Sequence, residues 1–143
     1  MSTRCQVVVK DSYGNELWFY RHSDGYPDGV KKSLSIFLNW LKTDKIRNNV
    51  GQAAGWLIIL GAIEYQTLPT NCFPEAGKEL WEMDNTNIFN AMNFSPVDWQ
   101  IGAYEPSVSR QHGDIKYLYT IDLAKKEIKV KDIYQKKEQI FLN

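Results

Sequence analysis

The chain has 143 residues, of which 43% are hydrophobic and 13% aromatic, and it carries 17 basic and 17 acidic side chains. This length suits one domain with one core, and this apolar content excludes wholesale disorder. The formal net charge of zero argues against broad attraction to duplex nucleic acid or to an anionic membrane. No apolar run approaches the roughly 18 residues that span a bilayer. We therefore expect a single soluble domain over residues 1–143.

The N-terminal residues predict a cytoplasmic location. Residues 1–9, Met-Ser-Thr-Arg-Cys-Gln-Val-Val-Val, contain no basic and apolar leader followed by a cleavage site. The two cysteines, Cys5 and Cys72, lack the close partner that is typical of zinc ligands or of a redox pair. Two reduced thiols are therefore expected.

Two strands are predicted within the first 22 residues. Apolar and polar side chains alternate over 4–10 and again over 16–22, and a turn sequence, Ser-Tyr-Gly-Asn, lies between them. This pattern predicts a β-hairpin. In its second strand one face carries Leu17, Phe19 and Arg21, and the other carries Trp18, Tyr20 and His22.

Two helices are predicted next. The first, of about three turns, carries an apolar stripe of Val30, Leu34, Phe37, Leu38 and Leu41. Asp28 is its expected N-cap because a carboxylate accepts the free amides of a first turn. The second begins near Asn48 or Asn49. Since residues 50–63 are apolar on nearly every side, we expect this helix to be central and buried.

The rest of the chain predicts further strands after an irregular segment over 66–96, which holds one short helix over 75–83. Residues 98–105 predict a strand that Pro106 ends, and alternation over 115–123 and 128–130 predicts a second hairpin. The tail, 134–143, is either an added strand or an oligomer contact. The expected fold class is α+β, an antiparallel sheet of four to six strands packed with two main helices.

Much of the polar chemistry lies between residues 21 and 29. Arg21, His22, Asp24 and Tyr26 place a guanidinium, an imidazole, a carboxylate and a phenol in one turn sequence. Such a group is able to bind an anion, to hold a metal or to shape a tight turn. The sequence leaves these three interpretations open.

Three stretches together resemble a family of small uncharacterised phage and prophage proteins. They are the start Met-Ser-Thr-Arg at 1–4, Tyr-Arg-His-Ser-Asp-Gly-Tyr-Pro at 20–27, and Gly-Asp-Ile-Lys-Tyr-Leu-Tyr at 113–119. The resemblance covers roughly 1–45 and 110–133 and brings no established chemistry. It implies a phage or mobile-element context, hence a host cytoplasm, in which inhibition of host defence is a reasonable class of function.

The chain is also similar, without a continuous shared motif, to phage sponge proteins that sequester the cyclic nucleotide signals of bacterial immune systems such as Thoeris. Those proteins are small cytosolic α+β oligomers that hold phosphates with arginines and stack the base on aromatic rings. The resemblance implies a homo-oligomer whose ligand-binding candidates include Trp81, Asn93, Arg110 and Lys129.

The first functional hypothesis is therefore an anion site for a nucleotide-like signal, which the protein binds without cleaving. Guanidinium groups bind phosphate through paired hydrogen bonds, and we expect one shared sheet to bring Arg21 and Arg110 together. The competing interpretation is that each arginine pairs with a nearby carboxylate, Arg21 with Asp24 for example. The predicted ligand-binding residues are Arg4, Arg21, His22, Asp24, Tyr26, Trp81, Asn93, Arg110, His112 and Lys129.

Two alternatives stay open. The two His-x-Asp pairs, at 22–24 and 112–114, would converge on a divalent metal or a phosphodiester if the hairpins are neighbours, with an imidazole as base. Turn and cap roles explain the same side chains. In the other alternative, the acidic and aromatic segment 73–99 docks onto a host defence factor. No glycine-rich phosphate loop is present. No cofactor is expected, and because His-x-Asp is a weak signal, no catalytic or metal-binding residue is assigned.

Overall fold

The computed structural model of the protein describes residues 3–65, 102–108 and 110–143. Its elements are β1 (Cys5–Lys10), β2 (Glu16–Arg21), α1 (Pro27–Lys42), α2 (Val50–Tyr65), β3 (Glu105–Pro106), β4 (Tyr117–Asp122), β5 (Glu127–Asp132) and β6 (Lys137–Leu142). The described strands form one sheet in the order β3-β2-β1-β4-β5-β6. The α+β class is confirmed, and so is the interpretation of the tail as an added strand.

The sheet is mixed because β1 and β4 run parallel, whereas the other neighbouring strands run antiparallel. The expected all-antiparallel sheet is wrong at this junction. A two-residue turn forces its strands to be antiparallel, but a long connection imposes no direction. Both helices and residues 66–101 separate β2 from β4, so the sequence pattern around β4 carries no information about its direction.

Each face of the sheet carries alternate residues of every strand, as the period of two requires. On one face Val7, Phe19 and Tyr119 join the apolar stripe of α1 in the core. We call the other face the helix-free face because neither described helix packs on it. It carries Gln6, Val8, Trp18, Tyr20, Leu118, Thr120, Lys129 and Lys131.

The two helices begin differently. α1 starts at Pro27, whose fixed φ suits a first helical position, and Tyr26 is its N-cap without a side-chain hydrogen bond. The prediction of Asp28 as the N-cap is therefore wrong: Asp28 lies in the first turn, where its charge favours the helix dipole. The predicted start of α2 is confirmed, since the Asn49 side chain accepts the Gln52 amide at 3.0 Å.

α2 is buried on one face only. Ala53, Leu57 and Leu60 lie in the core, whereas the side of Trp56, Ile59 and Ile63 is 39 to 49% exposed. The expectation of a helix buried on all sides is thus wrong. An apolar sequence shows that a helix tolerates burial, but it does not show that a partner covers every side.

Residues 102–104 lie directly against α2 because two glycines allow it. The Ala103 amide donates to the Gly61 carbonyl at 3.0 Å. A Cβ on Gly61 would lie 2.7 Å from the Tyr104 nitrogen, and one on Gly102 would lie 2.6 Å from the Ala62 nitrogen. This close approach places the Tyr104 ring in the core, where its hydroxyl lies 2.5 Å from Ser33 Oγ.

Three weakly acidic side chains share the core. Burial raises the pKa of the Cys5 thiol from 9.0 to about 12, and nearby Arg21 lowers it only in part. Burial also raises the pKa of Tyr104 and the pKa of Tyr119 above the usual 10.0. The Tyr119 hydroxyl donates to the Gly25 carbonyl at 2.8 Å, so it stays protonated in the fold.

We predict opposite effects for two glycine substitutions in α2. Gly61→Ala should lower the free energy of unfolding by about 1–3 kcal/mol because the new methyl group meets backbone. Gly55→Ala, where nothing lies within 4 Å of the added Cβ, should raise it by about 0.5–1 kcal/mol through helix propensity. Urea unfolding followed by circular dichroism measures both. Equal effects of the two substitutions would contradict the packing of residues 102–104 on α2.

We also predict that stability falls as the pH rises from about 8 to about 11. In the unfolded chain the Cys5 thiol has its ordinary pKa of 9.0 and the tyrosine hydroxyls have theirs of 10.0. The folded protein retains these protons to higher pH. Each such group lowers the free energy of unfolding by up to about 1.4 kcal/mol for every pH unit above its pKa in the unfolded chain. Urea unfolding at a series of pH values measures the slope, which Cys5→Ala should make shallower. A flat profile would contradict the prediction.

Candidate functional site

Five polar side chains form a cluster at one end of the helix-free face. Arg4 precedes β1, Tyr20 and His22 lie at the end of β2, and His112 and Asp114 precede β4. We call these five residues the polar cluster. They come from residues 4–22 and 112–114, which the fold therefore brings together.

The members of the polar cluster contact one another directly. Asp114 Oδ2 accepts a hydrogen bond from the Tyr20 hydroxyl at 2.9 Å and lies 3.4 Å from Arg4 Nε. Arg4 Nε also donates to His22 Nδ1 at 3.4 Å. The Tyr20 ring centre lies 4.6 Å from that of His112 and 6.4 Å from that of His22. A guanidinium, a carboxylate and three rings are thus contiguous.

The backbone explains why these residues meet. β1 and β4 are parallel, so the residues that precede the two strands lie side by side, and the Lys116 amide donates to the Arg4 carbonyl at 2.9 Å. Gln6 lies between Tyr20 on β2 and Leu118 on β4. Its buried side chain accepts the His112 amide at 2.7 Å, which fixes the loop before β4 against β1.

Solvent reaches the cluster. The Arg4 and Asp114 side chains are 34% and 49% exposed. Arg4 contacts its partners through Nε, and neither Nη nitrogen forms a hydrogen bond with a side chain in the described part of the chain. Burial, with the hydrogen bond to Asp114, raises the pKa of Tyr20 to about 12. Tyr20 therefore remains a neutral hydrogen-bond donor at physiological pH.

Ser107 extends the cluster, and the sequence analysis missed it. Its Oγ lies 3.0 Å from His112 Nε2, and its amide donates to the Trp18 carbonyl at 2.8 Å. The serine follows β3, whose register against β2 places it near Trp18. The sequence gives only a weak signal for this contact, the spacing of five residues between Ser107 and His112. The two side chains meet only because the loop between them folds back on β2.

Arg21 lies on the opposite face of the sheet and is 2% exposed. Its Nη1 lies 2.7 Å from Glu64 Oε2, its Nε donates to the Ser23 carbonyl at 2.7 Å, and its guanidinium lies 5.1 Å from the centre of the Tyr104 ring. The Nη1 contact is an ion pair rather than a well-aligned hydrogen bond. Arg21 thus joins β2 to the end of α2 inside the core, and its carboxylate partner is Glu64 rather than Asp24.

Arg110 lies at the other end of β2. Its Nη1 is 3.2 Å from Glu16 Oε1, and its side chain is 72% exposed. Glu16 and Arg21 are the first and last residues of β2, about 17 Å apart, and they point to opposite faces. The expectation that one chain brings Arg21 and Arg110 together is corrected: each arginine pairs with its own carboxylate.

The remaining predicted residues are dispersed. Lys129 lies on the helix-free face, opposite Thr120. Asp24 has a left-handed φ of 55° and shapes the turn before α1, where Tyr26 is the exposed N-cap. Trp81 and Asn93 lie outside the described residues, as do the segment 73–99 and Cys72. Cys5 is a free, buried thiol.

The two His-x-Asp pairs meet only in part: His22, His112 and Asp114 belong to the polar cluster, whereas Asp24 lies in the turn. Within the described residues, no group of three or more His, Cys, Asp or Glu side chains is placed to hold a metal ion. No helix in the same residues is long and apolar enough to cross a bilayer.

Comparisons with known proteins gave no relative. No protein-family model matches the chain, and searches of curated proteins and of solved structures found no match. The geometry of the described residues is therefore the basis for any functional argument.

The two ion pairs predict a sharp contrast in stability. Arg21→Ala should lower the free energy of unfolding by about 2–4 kcal/mol because it truncates a buried side chain and leaves the Ser23 carbonyl and Glu64 without their partner. Arg110→Ala removes an exposed pair and should cost less than about 1 kcal/mol. Urea unfolding of the two variants measures the difference. If Arg21→Ala is as stable as Arg110→Ala, the structural role of Arg21 is refuted.

Proposed function

We propose that the protein binds a nucleotide-like anion on its helix-free face, at the polar cluster, and holds it without cleaving it. The observation that supports this function is the contact of Arg4 with His22, whose ring lies 6.4 Å from Tyr20, which in turn lies 4.6 Å from His112. Phosphate is recognised by guanidinium groups and nucleobases by ring faces, so the cluster offers both chemistries in one place.

The free donors of Arg4 favour an anion. Within the described residues, Arg4 retains its Nη donors beside His22. Across the sheet, Tyr20, Gln6, Leu118 and Lys131 lie in register on four neighbouring strands. Three strand spacings separate Tyr20 from Lys131, about 14 Å. Because Gln6 is 0% exposed between them, the ligand lies on the polar cluster at the end of the sheet and not across β1.

The rings of β2 favour an aromatic ligand. Trp18 and Tyr20 lie on the same face at half-buried positions, and the Trp18 indole nitrogen donates to Glu16 at 3.0 Å. Tyr20 is held by Asp114 at its hydroxyl and by His112 at its ring. Stacking of one base on such a ring contributes about 1–3 kcal/mol. Rings that are already fixed in place lose little conformational entropy when a ligand stacks on them.

The proposal of binding without cleavage rests on Asp114. Its Oδ2 accepts from Tyr20 and lies beside Arg4, so this carboxylate orients binding groups instead of serving as a free base. The resemblance of the chain ends to phage proteins suggests inhibition of host defence in the host cytoplasm. The separate similarity to phage sponge proteins suggests that an oligomer of this chain sequesters a cyclic nucleotide immune signal.

Titration calorimetry with cyclic di-AMP, cyclic ADP-ribose and uncharged adenosine tests the proposal. We predict that a phosphorylated compound binds and adenosine does not. Arg4→Gln should weaken binding about tenfold or more, because a charge-assisted hydrogen bond to phosphate is lost. Arg47→Gln, which lies at the other end of the domain, is the matched control and should bind like the wild type. The ligand should be recovered intact by chromatography after the protein is denatured.

Two results would refute this function. Binding that is equal in wild type and Arg4→Gln would remove the polar cluster from the site. Failure of every phosphorylated compound to bind, with the fold intact by circular dichroism, would exclude the nucleotide signals tested.

The distance of 3.0 Å between Ser107 Oγ and His112 Nε2 favours a second candidate function, hydrolysis of the same class of ligand. A hydroxyl within hydrogen-bond reach of an imidazole is the arrangement of an activated nucleophile and its base. In that case chromatography returns products, and Ser107→Ala abolishes turnover but retains binding. Intact ligand after prolonged incubation eliminates this candidate.

A further inference from the structure

A cavity of about 440 Å³ lies at the end of the sheet opposite to the polar cluster. One wall is the connection between α1 and α2, residues 43–49, and the other is the turn between β4 and β5, residues 123–126. β1 ends here, where the Leu123 amide donates to the Lys10 carbonyl at 2.9 Å. The length of β1, about 20 Å, therefore separates this cavity from the polar cluster.

The cavity has an apolar floor and a polar rim. The side chains of Leu41, Ile46 and Leu123 form the floor and are buried in the core. The rim consists of Asp44, Arg47, Asn48 and Lys126. A volume of a few hundred cubic ångströms with a few polar groups around apolar walls is typical of small-molecule sites.

Local hydrogen bonds fix the helix wall. Asp44, two residues after the end of α1, is left-handed at φ 59°, and the amide of Lys45 donates to the Trp40 carbonyl at 2.9 Å. The Arg47 amide donates to Gln52 Oε1 at 2.9 Å, and the Asn48 side chain donates to Ser12 at 3.2 Å. The wall is therefore formed before any ligand arrives.

The hairpin wall is equally fixed. Asp122 Oδ1 accepts the amides of Ala124 and Lys125 at 3.0 and 2.9 Å, and the Lys126 amide donates to the Asp122 carbonyl at 2.9 Å. Lys126 Nζ then reaches across to Asp44 Oδ1 at 3.0 Å, which joins the two walls. A preformed cavity avoids part of the entropic cost of binding.

The charges at the rim leave one cation without a partner. The Asp44 carboxylate is neutralised by Lys126. The guanidinium of Arg47 forms no ion pair with any carboxylate that the structure describes. Beside an apolar floor, one uncompensated guanidinium favours a ligand with a single negative charge, and its planar donors match a carboxylate.

We propose that this cavity binds a small monoanion with a compact apolar body, such as an aromatic carboxylate. The carboxylate pairs with Arg47, and the apolar body covers Leu41, Ile46 and Leu123. The cavity shares no residue with the polar cluster and lies about 20 Å from it, so the two proposals are tested separately.

Titration of ¹⁵N-labelled protein with naphthalene-2-carboxylate and with its neutral carboxamide tests this proposal. Chemical shifts should change around Ile46 and Leu123, and the carboxylate should bind about tenfold or more tightly than the carboxamide. Arg47→Gln should abolish that preference without loss of the fold. Ala124→Trp, at an exposed position of the rim, should fill the cavity and remove the binding of both compounds.

Variants at a neighbouring cavity and at the polar cluster show which site the probe occupies. A smaller cavity of about 280 Å³, lined by Trp40, Lys45, Ile46 and Trp56, adjoins the first one at Ile46. Binding that is lost in Trp56→Leu but kept in Ala124→Trp would assign the probe to that neighbour and overturn the proposal. Equal affinity for carboxylate and carboxamide, or no chemical-shift change at the solubility limit of the probe, would overturn it as well. Arg4→Gln should leave binding of the carboxylate unchanged.

Discussion

The parallel pairing of β1 with β4 is the constraint on which the rest of the structure depends. It places the start of both strands at one end of the sheet and the end of both strands at the other. The polar cluster forms at the first end, because the residues before the two strands become neighbours there. The cavity beside Arg47 forms at the second end, because the turn after β4 faces the connection between the helices. An antiparallel β4 would have placed His112 and Asp114 beside the turn between β1 and β2, far from Arg4.

Burial decides which arginine is able to bind a ligand. Arg21 continues the row of Leu17 and Phe19 on β2, so the alternation that builds the core also takes its guanidinium out of water. Removing a charge from water is costly unless a partner compensates it, and Glu64 at the end of α2 supplies that partner. Arg21 therefore helps to anchor α2 on the sheet. Arg4 precedes the row on the other face, keeps contact with solvent, and retains donors for an incoming anion.

The sequence predicts what is local and misses what depends on distant partners. The alternation of apolar and polar residues predicted β1, β2, β4 and β5, and Asn49 predicted the start of α2. These predictions succeeded because each sequence pattern lies within a few residues of the element it specifies. The direction of β4, the exposed side of α2 and the partner of Arg21 each depend on an element that lies far away in the chain. Of the polar cluster, the sequence analysis predicted Arg4, His22 and His112 as ligand-binding residues and named Asp114 in the His-x-Asp alternative. Tyr20, Ser107 and Gln6 were missed, since their roles follow from the register of β1, β2 and β3.

The net charge of zero describes the composition of the chain but not its capacity to bind anions. Such binding depends on the cations that remain without a full set of partners once the fold has formed its ion pairs. Among the described residues, Glu64 pairs with Arg21 and Asp44 pairs with Lys126, whereas Arg4 keeps its Nη donors and Arg47 keeps its whole guanidinium. A neutral protein of this kind exerts little long-range attraction, so its selectivity for an anion depends on contacts within a few ångströms. In the two proposed sites, the rings beside Arg4 and the apolar floor beside Arg47 are the groups that would select the anion.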